Sequence, residues 1–189
     1  MTHTPTGFAR AAVRAAILLG TSLTLSTQAL ATLEIGAAAP DFKLKSAMAG
    51  NVGEFTLTDA LKQGPVVLYF FPAAFTSGCN REAHAFAEKI PAFKALGATV
   101  IGVSNDKIDT IAKFSVQECA GKFSVAADPD SEVIKSYDAK FPVVGTAKRV
   151  SYVIGQDGKV HYVYSALSPD GHIENTLKAL KDLPPATVR

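Results

Sequence analysis

The chain predicts an α/β sandwich with a mixed central β-sheet flanked by helices. Three observations carry that expectation. Val66–Phe70 is an unbroken apolar run, the mark of a strand covered on both faces. Helical periodicity and β-like runs then alternate, as expected when helices cover the two faces of a sheet. Finally, Arg149–Ile154 and Val160–Tyr164 flank Gln156-Asp157-Gly158, and Asp-Gly is a strong hairpin signal.

In chain order, Arg10 and Arg14 precede the mostly apolar stretch Ala15–Ser26, and Ala29-Leu30-Ala31 is a small-x-small cleavage site. Residues 1–31 therefore read as a secretory signal peptide, and residues 32–189 as a single domain. The uncharged part of the leader is short for a membrane span, which takes about 20 apolar residues. No cysteine follows the cleavage site, so nothing supports a lipid anchor there.

Ala37–Phe42 is extended, and Phe55–Thr58 alternates like a short strand, with Thr58 as the cap of a short helix through Leu61. After Val66–Phe71, Ala83, Phe86, Ala87 and Ile90 recur at helical spacing within a helix from Asn80 to Leu96. Pro91 should kink it, having no backbone donor and clashing with the preceding turn. Gly97 ends that helix, and Ala98–Ser104 is the next strand. Asn105-Asp106 opens a helix from Lys107 to Cys119. Phe123–Ala126 is a short strand, Asp128–Ser131 caps a helix through Tyr137, and Ile173–Leu180 is the last helix.

The formal net charge of +2 comes from the leader, which holds two of the 19 basic residues and none of the 17 acidic ones. The remainder is balanced and lacks basic clusters, so there is no electrostatic case for nucleic acid or an anionic membrane. The four histidines are scattered and no Gly-rich phosphate loop occurs, so no metal or nucleotide cofactor is expected.

The chemistry concentrates at Cys79. The apolar strand runs into Phe71-Pro72-Ala73-Ala74-Phe75-Thr76-Ser77-Gly78-Cys79, which places the cysteine at a helix start. Free cysteine titrates near about 8.5, and a helix N-terminus favours the reactive thiolate. Each residue alone has a plainer reading. Thr76 or Ser77 serves as a helix cap, Pro72 ends a strand, and Cys79 is a small buried residue. A structural disulfide between Cys79 and Cys119, the two cysteines of the chain, is the plain reading of the pair.

Taken together, Pro72-x-x-x-Thr76-x-x-Cys79 resembles the active-site motif of the peroxiredoxins, thiol peroxidases on a thioredoxin-like fold. Ala39-Pro40-Asp41-Phe42, Gly97–Ser104 and Arg149–Ile154 with Asp157-Gly158-Lys159 resemble other segments of that family. Gly78-Cys79-x-x-Glu82-Ala83 is similar to the bacterioferritin-comigratory, Q-type branch. The resemblance implies that Cys79 attacks a peroxide and becomes a sulfenic acid. It also implies that Arg149 supports the thiolate and the breaking O–O bond. Thr76 would hydrogen-bond sulfur and peroxide, and Pro72 would shield the sulfur.

Many Q-type enzymes carry a resolving cysteine five residues after the peroxidatic one; here that position is His84. A second branch resolves from the following helix, at the position of Ser115, one turn before Cys119. Cys119 is therefore the remaining candidate for the resolving cysteine. The alternative is a buried Cys119 and a one-cysteine enzyme reduced by an outside thiol.

The expected partners are a hydrogen or alkyl hydroperoxide and a thiol reductant, either a thioredoxin-like protein or a small thiol. The expected protein is a monomer or weak dimer, exported to the periplasm or secreted, with no membrane attachment after leader cleavage. The competing readings are an exported thioredoxin-like disulfide or partner-binding module, weakened by threonine in place of the first cysteine of Cys-x-x-Cys, and a cysteine hydrolase using His84 or His161 as base.

Overall fold

The computed structural model describes residues 32–184, so the leader expected at residues 1–31 lies outside the described residues. Seven strands form one mixed sheet in the order β2-β1-β5-β4-β3-β6-β7. They are β1 (Lys43–Met48), β2 (Asn51–Thr56), β3 (Val66–Phe70), β4 (Thr99–Ser104), β5 (Ser124–Ala127), β6 (Val150–Ile154) and β7 (Val160–Ser165). The helices are α1 (Leu57–Leu61), α2 (Ser77–Ala95), α3 (Ile108–Gln117), α4 (Glu132–Ser136) and α5 (His172–Lys181).

β3, β4 and β5 are parallel and are joined through α2 and α3, as parallel neighbours require. The two hairpins, β1–β2 and β6–β7, extend this unit at its antiparallel edges. All five β3 residues are buried, and successive side chains serve opposite faces. Val67 and Tyr69, continued by Phe71, join the core that includes Phe86 of α2 and Phe114 of α3. Val66, Leu68 and Phe70 join the core under Tyr137 and Tyr152. Each such apolar side chain taken from water contributes about 1.5–3 kcal/mol, so β3 anchors both layers.

Several local expectations are corrected. The strand expected at Phe55–Thr58 is the end of a β1–β2 hairpin turning at Ala49 (φ 51°) and Gly50 (φ 80°). α1 then starts at Leu57, so Thr58 lies inside it and Thr56 is its N-cap. α2 begins at Ser77 rather than Asn80 and runs on through Pro91 to Ala95. Its hydrophobic contacts at Phe86, Ile90 and Phe93 hold it to the sheet on both sides of the proline.

α3 ends at Gln117, so Cys119 lies beyond the helix. Ala120 (φ 50°) and Gly121 (φ 65°) turn the chain there, with Gly121 N–H donating to Ser115 O at 2.9 Å. Asp128 does cap α4: its carboxylate accepts from the amides of Glu132 (3.1 Å) and Ile134 (2.8 Å).

Candidate active site

Three elements converge at the C-terminal end of β3. The loop after β3 carries Pro72 and Thr76, the first turn of α2 carries Cys79, and Arg149 immediately precedes β6. The register explains the last placement. Phe70 of β3 pairs with Val150 of β6, so Arg149 stands beside the point where the chain leaves β3. Gly78 provides the clearance: a Cβ there would lie 3.1 Å from Arg149 Nη2. A larger residue at that position would push the guanidinium away from the helix start.

Cys79 is 1% exposed and Arg149 6% exposed, and Arg149 Nη2 lies 3.4 Å from Cys79 Sγ. The guanidinium is held on its other sides as well. Nε donates to Leu167 O at 3.0 Å, and Nη1 donates to Glu82 Oε2 in a buried ion pair. Glu82 is three residues after Cys79 and so shares its face of α2. Burial works against the charge of Arg149, but Glu82 and Cys79 outweigh it and raise its pKa. Glu82 itself is driven up to about 8 by burial, against the pull of Arg149.

Thr76 lies at the mouth, and its Oγ1 donates to Ala73 O at 3.0 Å. That bond commits its hydrogen, so the exposed hydroxyl oxygen is left to accept. Phe75, at φ 65°, packs edge-on against Phe114 of α3. The Ala74 amide donates to Asp106 Oδ2 at 2.7 Å, and Ser104 Oγ donates to the same oxygen at 2.8 Å. Asp106 therefore ties down the Cys79 loop instead of opening α3, whose N-cap is Lys107. Pro72 is half-buried at the start of the loop. Two clefts of about 310 and 390 Å³ lie elsewhere, one between β7 and α5 and one beside Pro91; neither is lined by Cys79 or Arg149.

Residues 35–163 match the AhpC/TSA family. The chain is a peroxiredoxin. It is 35% identical over 150 residues to the chloroplastic peroxiredoxin Q of Oryza sativa subsp. japonica, covering 78% of this chain and 67% of that one. It is 33% identical over 150 residues to that of Sedum lineare, covering 78% of each. Among solved structures, peroxidoxin BcpB from Mycobacterium tuberculosis superposes with a TM-score of 0.73 at 30% identity, covering 80% of this chain and 99% of that one. A PrxQ mutant from Xylella fastidiosa gives 0.71 at 26% identity, covering 80% and 98%. The fold is thioredoxin-like, and the activity is that of a thiol-dependent peroxidase, an antioxidant oxidoreductase. The non-peroxidatic thiol-disulfide module is not favoured.

The other sequence candidates sit apart from this cluster or behind it. His84 is 56% exposed and pairs with Glu118 at 2.9 Å, and His161 pairs with Asp157 at 3.0 Å. Both are engaged away from the sulfur, against the hydrolase reading. Cys119 is a free thiol, fully buried in the same core as Cys79. Burial, with the neighbouring Glu118 charge, holds its thiol far above the ordinary range.

Glu82, Asp106, Ser151 and His172 were not among the sequence candidates. Glu82 was available from its i, i+3 spacing to Cys79, whereas His172 arrives from α5 by tertiary packing. His172 is fully buried; its Nδ1 lies 2.8 Å from Ser151 Oγ and 3.7 Å from Glu82 Oε1. Burial lowers its pKa to about 4, and the Arg149 charge adds to the effect.

A depressed histidine stabilises the fold fully above its unfolded pKa of about 6.5, and that contribution is lost as pH falls through about 4. The loss is on the order of 3 kcal/mol. Glu82 acts in the opposite sense: its contribution is complete below 4.5 and disappears as pH rises through about 8. Urea midpoints between pH 6.5 and 4 should therefore fall more steeply in the wild type than in His172→Leu. Parallel curves would remove His172 as the source.

Proposed function

We propose that Cys79 is the peroxidatic nucleophile and that Arg149, Thr76 and Pro72 form its working surroundings. The observation that carries this reading is the Arg149 Nη2–Cys79 Sγ approach of 3.4 Å at the first turn of α2. A buried cation beside the sulfur favours the thiolate, and the helix N-terminus acts in the same direction. The thiolate attacks one peroxide oxygen, a sulfur–oxygen bond forms as the O–O bond breaks, and the other oxygen leaves as water or alcohol once protonated. Arg149 donates to the oxygens that gain charge. Thr76, with its hydrogen given to Ala73 O, accepts a hydrogen bond from the peroxide hydroxyl and so orients it. Pro72 limits water above the sulfur.

Cys79 sulfenic acid is then reduced by a thiol, with Cys119 as the resolving cysteine. A buried, neutral Cys119 attacks only after the segment following α3 opens. That segment is tied by Gly121 N–H to Ser115 O at 2.9 Å and by His84 to Glu118. The final reductant is a thioredoxin-like protein or small thiol, and the enzyme works as a monomer or weak dimer. Export to the periplasm or the cell exterior is proposed from the leader pattern of residues 1–31 alone.

One equivalent of hydrogen peroxide added to the reduced protein tests the scheme, read by peroxide consumption and intact mass. The expected product has lost two hydrogens, about 2 Da, as a Cys79–Cys119 bridge. Rapid consumption with a gain of one oxygen, about 16 Da, would retain Cys79 and remove Cys119 as the resolving residue.

A further inference from the structure

Cleavage of a peroxide by a thiolate leaves an oxyanion that must acquire a proton. Behind Arg149 lies a carboxyl group suited to supply it. Glu82 is fully buried; Oε2 accepts from Arg149 Nη1, and Oε1 has no hydrogen-bond partner among the described residues. Oε1 instead faces His172 Nδ1 at 3.7 Å. His172 Nε2 lies 3.3 Å from Ala166 O, an oxygen that only accepts, so Nε2 carries the ring hydrogen. In the neutral ring Nδ1 is then an acceptor, facing the Ser151 hydroxyl at 2.8 Å and Glu82 Oε1. An ionised Glu82 sets lone pair against lone pair at this contact. A hydrogen on Oε1 removes that repulsion and gives the contact a donor, which the single lone pair of Nδ1 shares between Glu82 and the Ser151 hydroxyl.

The surrounding charges point the same way. Cys79 on α2, Arg149 before β6, His172 on α5 and Tyr69 on β3 are the titratable groups around Glu82. Burial keeps Tyr69 neutral, and its hydroxyl has no partner among the described residues. One cation, Arg149, thus faces two potential buried anions, the Cys79 thiolate and the Glu82 carboxylate. Two buried anions on one guanidinium are costly, so one of them remains protonated.

We propose that Glu82, backed by His172, is the proton reservoir of the reaction, protonated while Cys79 is a thiolate and ionised once the sulfenic acid has formed. The step balances as thiolate, ROOH and Glu82 carboxylic acid giving sulfenic acid, ROH and Glu82 carboxylate. Sulfur supplies the electron pair, the O–O bond breaks, and the Glu82 proton completes the alcohol or water. Loss of the thiolate charge leaves Arg149 to the carboxylate, which is what releases the proton. Burial raises Glu82 to about 8, which accords with a carboxyl protonated at neutral pH. This inference rests on Cys79 as peroxidatic nucleophile.

The test is stopped-flow oxidation by hydrogen peroxide in weak buffer with a pH-indicator dye, with peroxide consumption followed in parallel. It is run at a pH chosen by the ultraviolet absorbance of the thiolate, so that Cys79 is ionised before peroxide is added. Wild type should take up about one proton fewer per peroxide than Glu82→Gln. His172→Gln, whose amide donates to Oε1 and holds the carboxylate ionised throughout, should behave like Glu82→Gln and serves if that variant fails to fold. In wild type alone, uptake should rise by about one proton as pH passes through about 8. Equal uptake in all three proteins, constant with pH while peroxide is consumed, overturns the reservoir and leaves the peroxidase reading intact. No peroxide consumption by wild type overturns both.

Discussion

Cys79→Ser should fold and consume no peroxide beyond the uncatalysed rate. Serine matches cysteine closely in shape, and its hydroxyl can accept from Arg149 Nη2, so the buried cluster at the start of α2 keeps a partner for the guanidinium. What disappears is the thiol proposed to attack the peroxide. Removing a catalytic nucleophile costs on the order of 10⁶ in turnover where it has been dissected in a hydrolase, far more than the contribution of any positioning group. Cys119→Ser should behave differently, keeping the first oxidation and losing the disulfide. The two variants are compared by peroxide consumption and intact mass. Activity persisting in Cys79→Ser would transfer the chemistry to Cys119, which is fully buried and held protonated, and would sink the assignment.

The parts of the site legible in the sequence are those written in one segment. Pro72, Thr76 and Cys79 follow a strand whose continuous apolar character reflects burial on both faces, and their spacing survives folding because one loop and one helical turn carry all three. The layered fold was legible for the same reason, since β3 and β4 announce themselves by apolar runs and α2 by helical spacing. The β1–β2 hairpin was not. Asn51–Thr56 is a largely exposed edge strand, and Lys43–Met48, between it and β5, buries only Ser46 and Ala47, so burial imposes little alternation on either, and the turn is Ala49-Gly50 rather than Asp-Gly. The end of α3 was misplaced because nothing between Gln117 and Ala120 breaks a helix locally. The turn is made by Ala120, a residue that rarely adopts positive φ, and completed by Gly121.

Glu82, Asp106 and His172 were missed for a different reason. Their roles are set by partners far away in sequence: Arg149 for Glu82, the Ala74 amide for Asp106, and Ser151 for His172. A buried histidine and a loop-tying aspartate carry no local signature that separates them from ordinary core or loop residues. Only the closing of the sheet brings α5 over α2 and β6.

Arg149→Ala should slow peroxide reduction by roughly 10²–10³-fold, the range for removing one donor aimed at developing charge. It should also lower the fraction of Cys79 present as thiolate at neutral pH. Stability falls too, because breaking a buried ion pair costs about 3–5 kcal/mol when the remaining charge is left without a partner. Here the cost should depend on pH. Glu82 can escape it by taking a proton, so the variant loses least at low pH and most above about 8. Arg149→Lys separates the two effects. An ammonium restores a cation, but it lacks the planar fork that reaches Cys79 Sγ, Glu82 Oε2 and Leu167 O at once. Lysine should therefore recover stability more fully than rate. Stopped-flow peroxide rates and urea midpoints for both variants across pH decide the matter. A rate that stays at the wild-type value in Arg149→Ala while stability drops would make the guanidinium a structural tie between β6 and α2, and the thiolate would have to rely on the helix N-terminus.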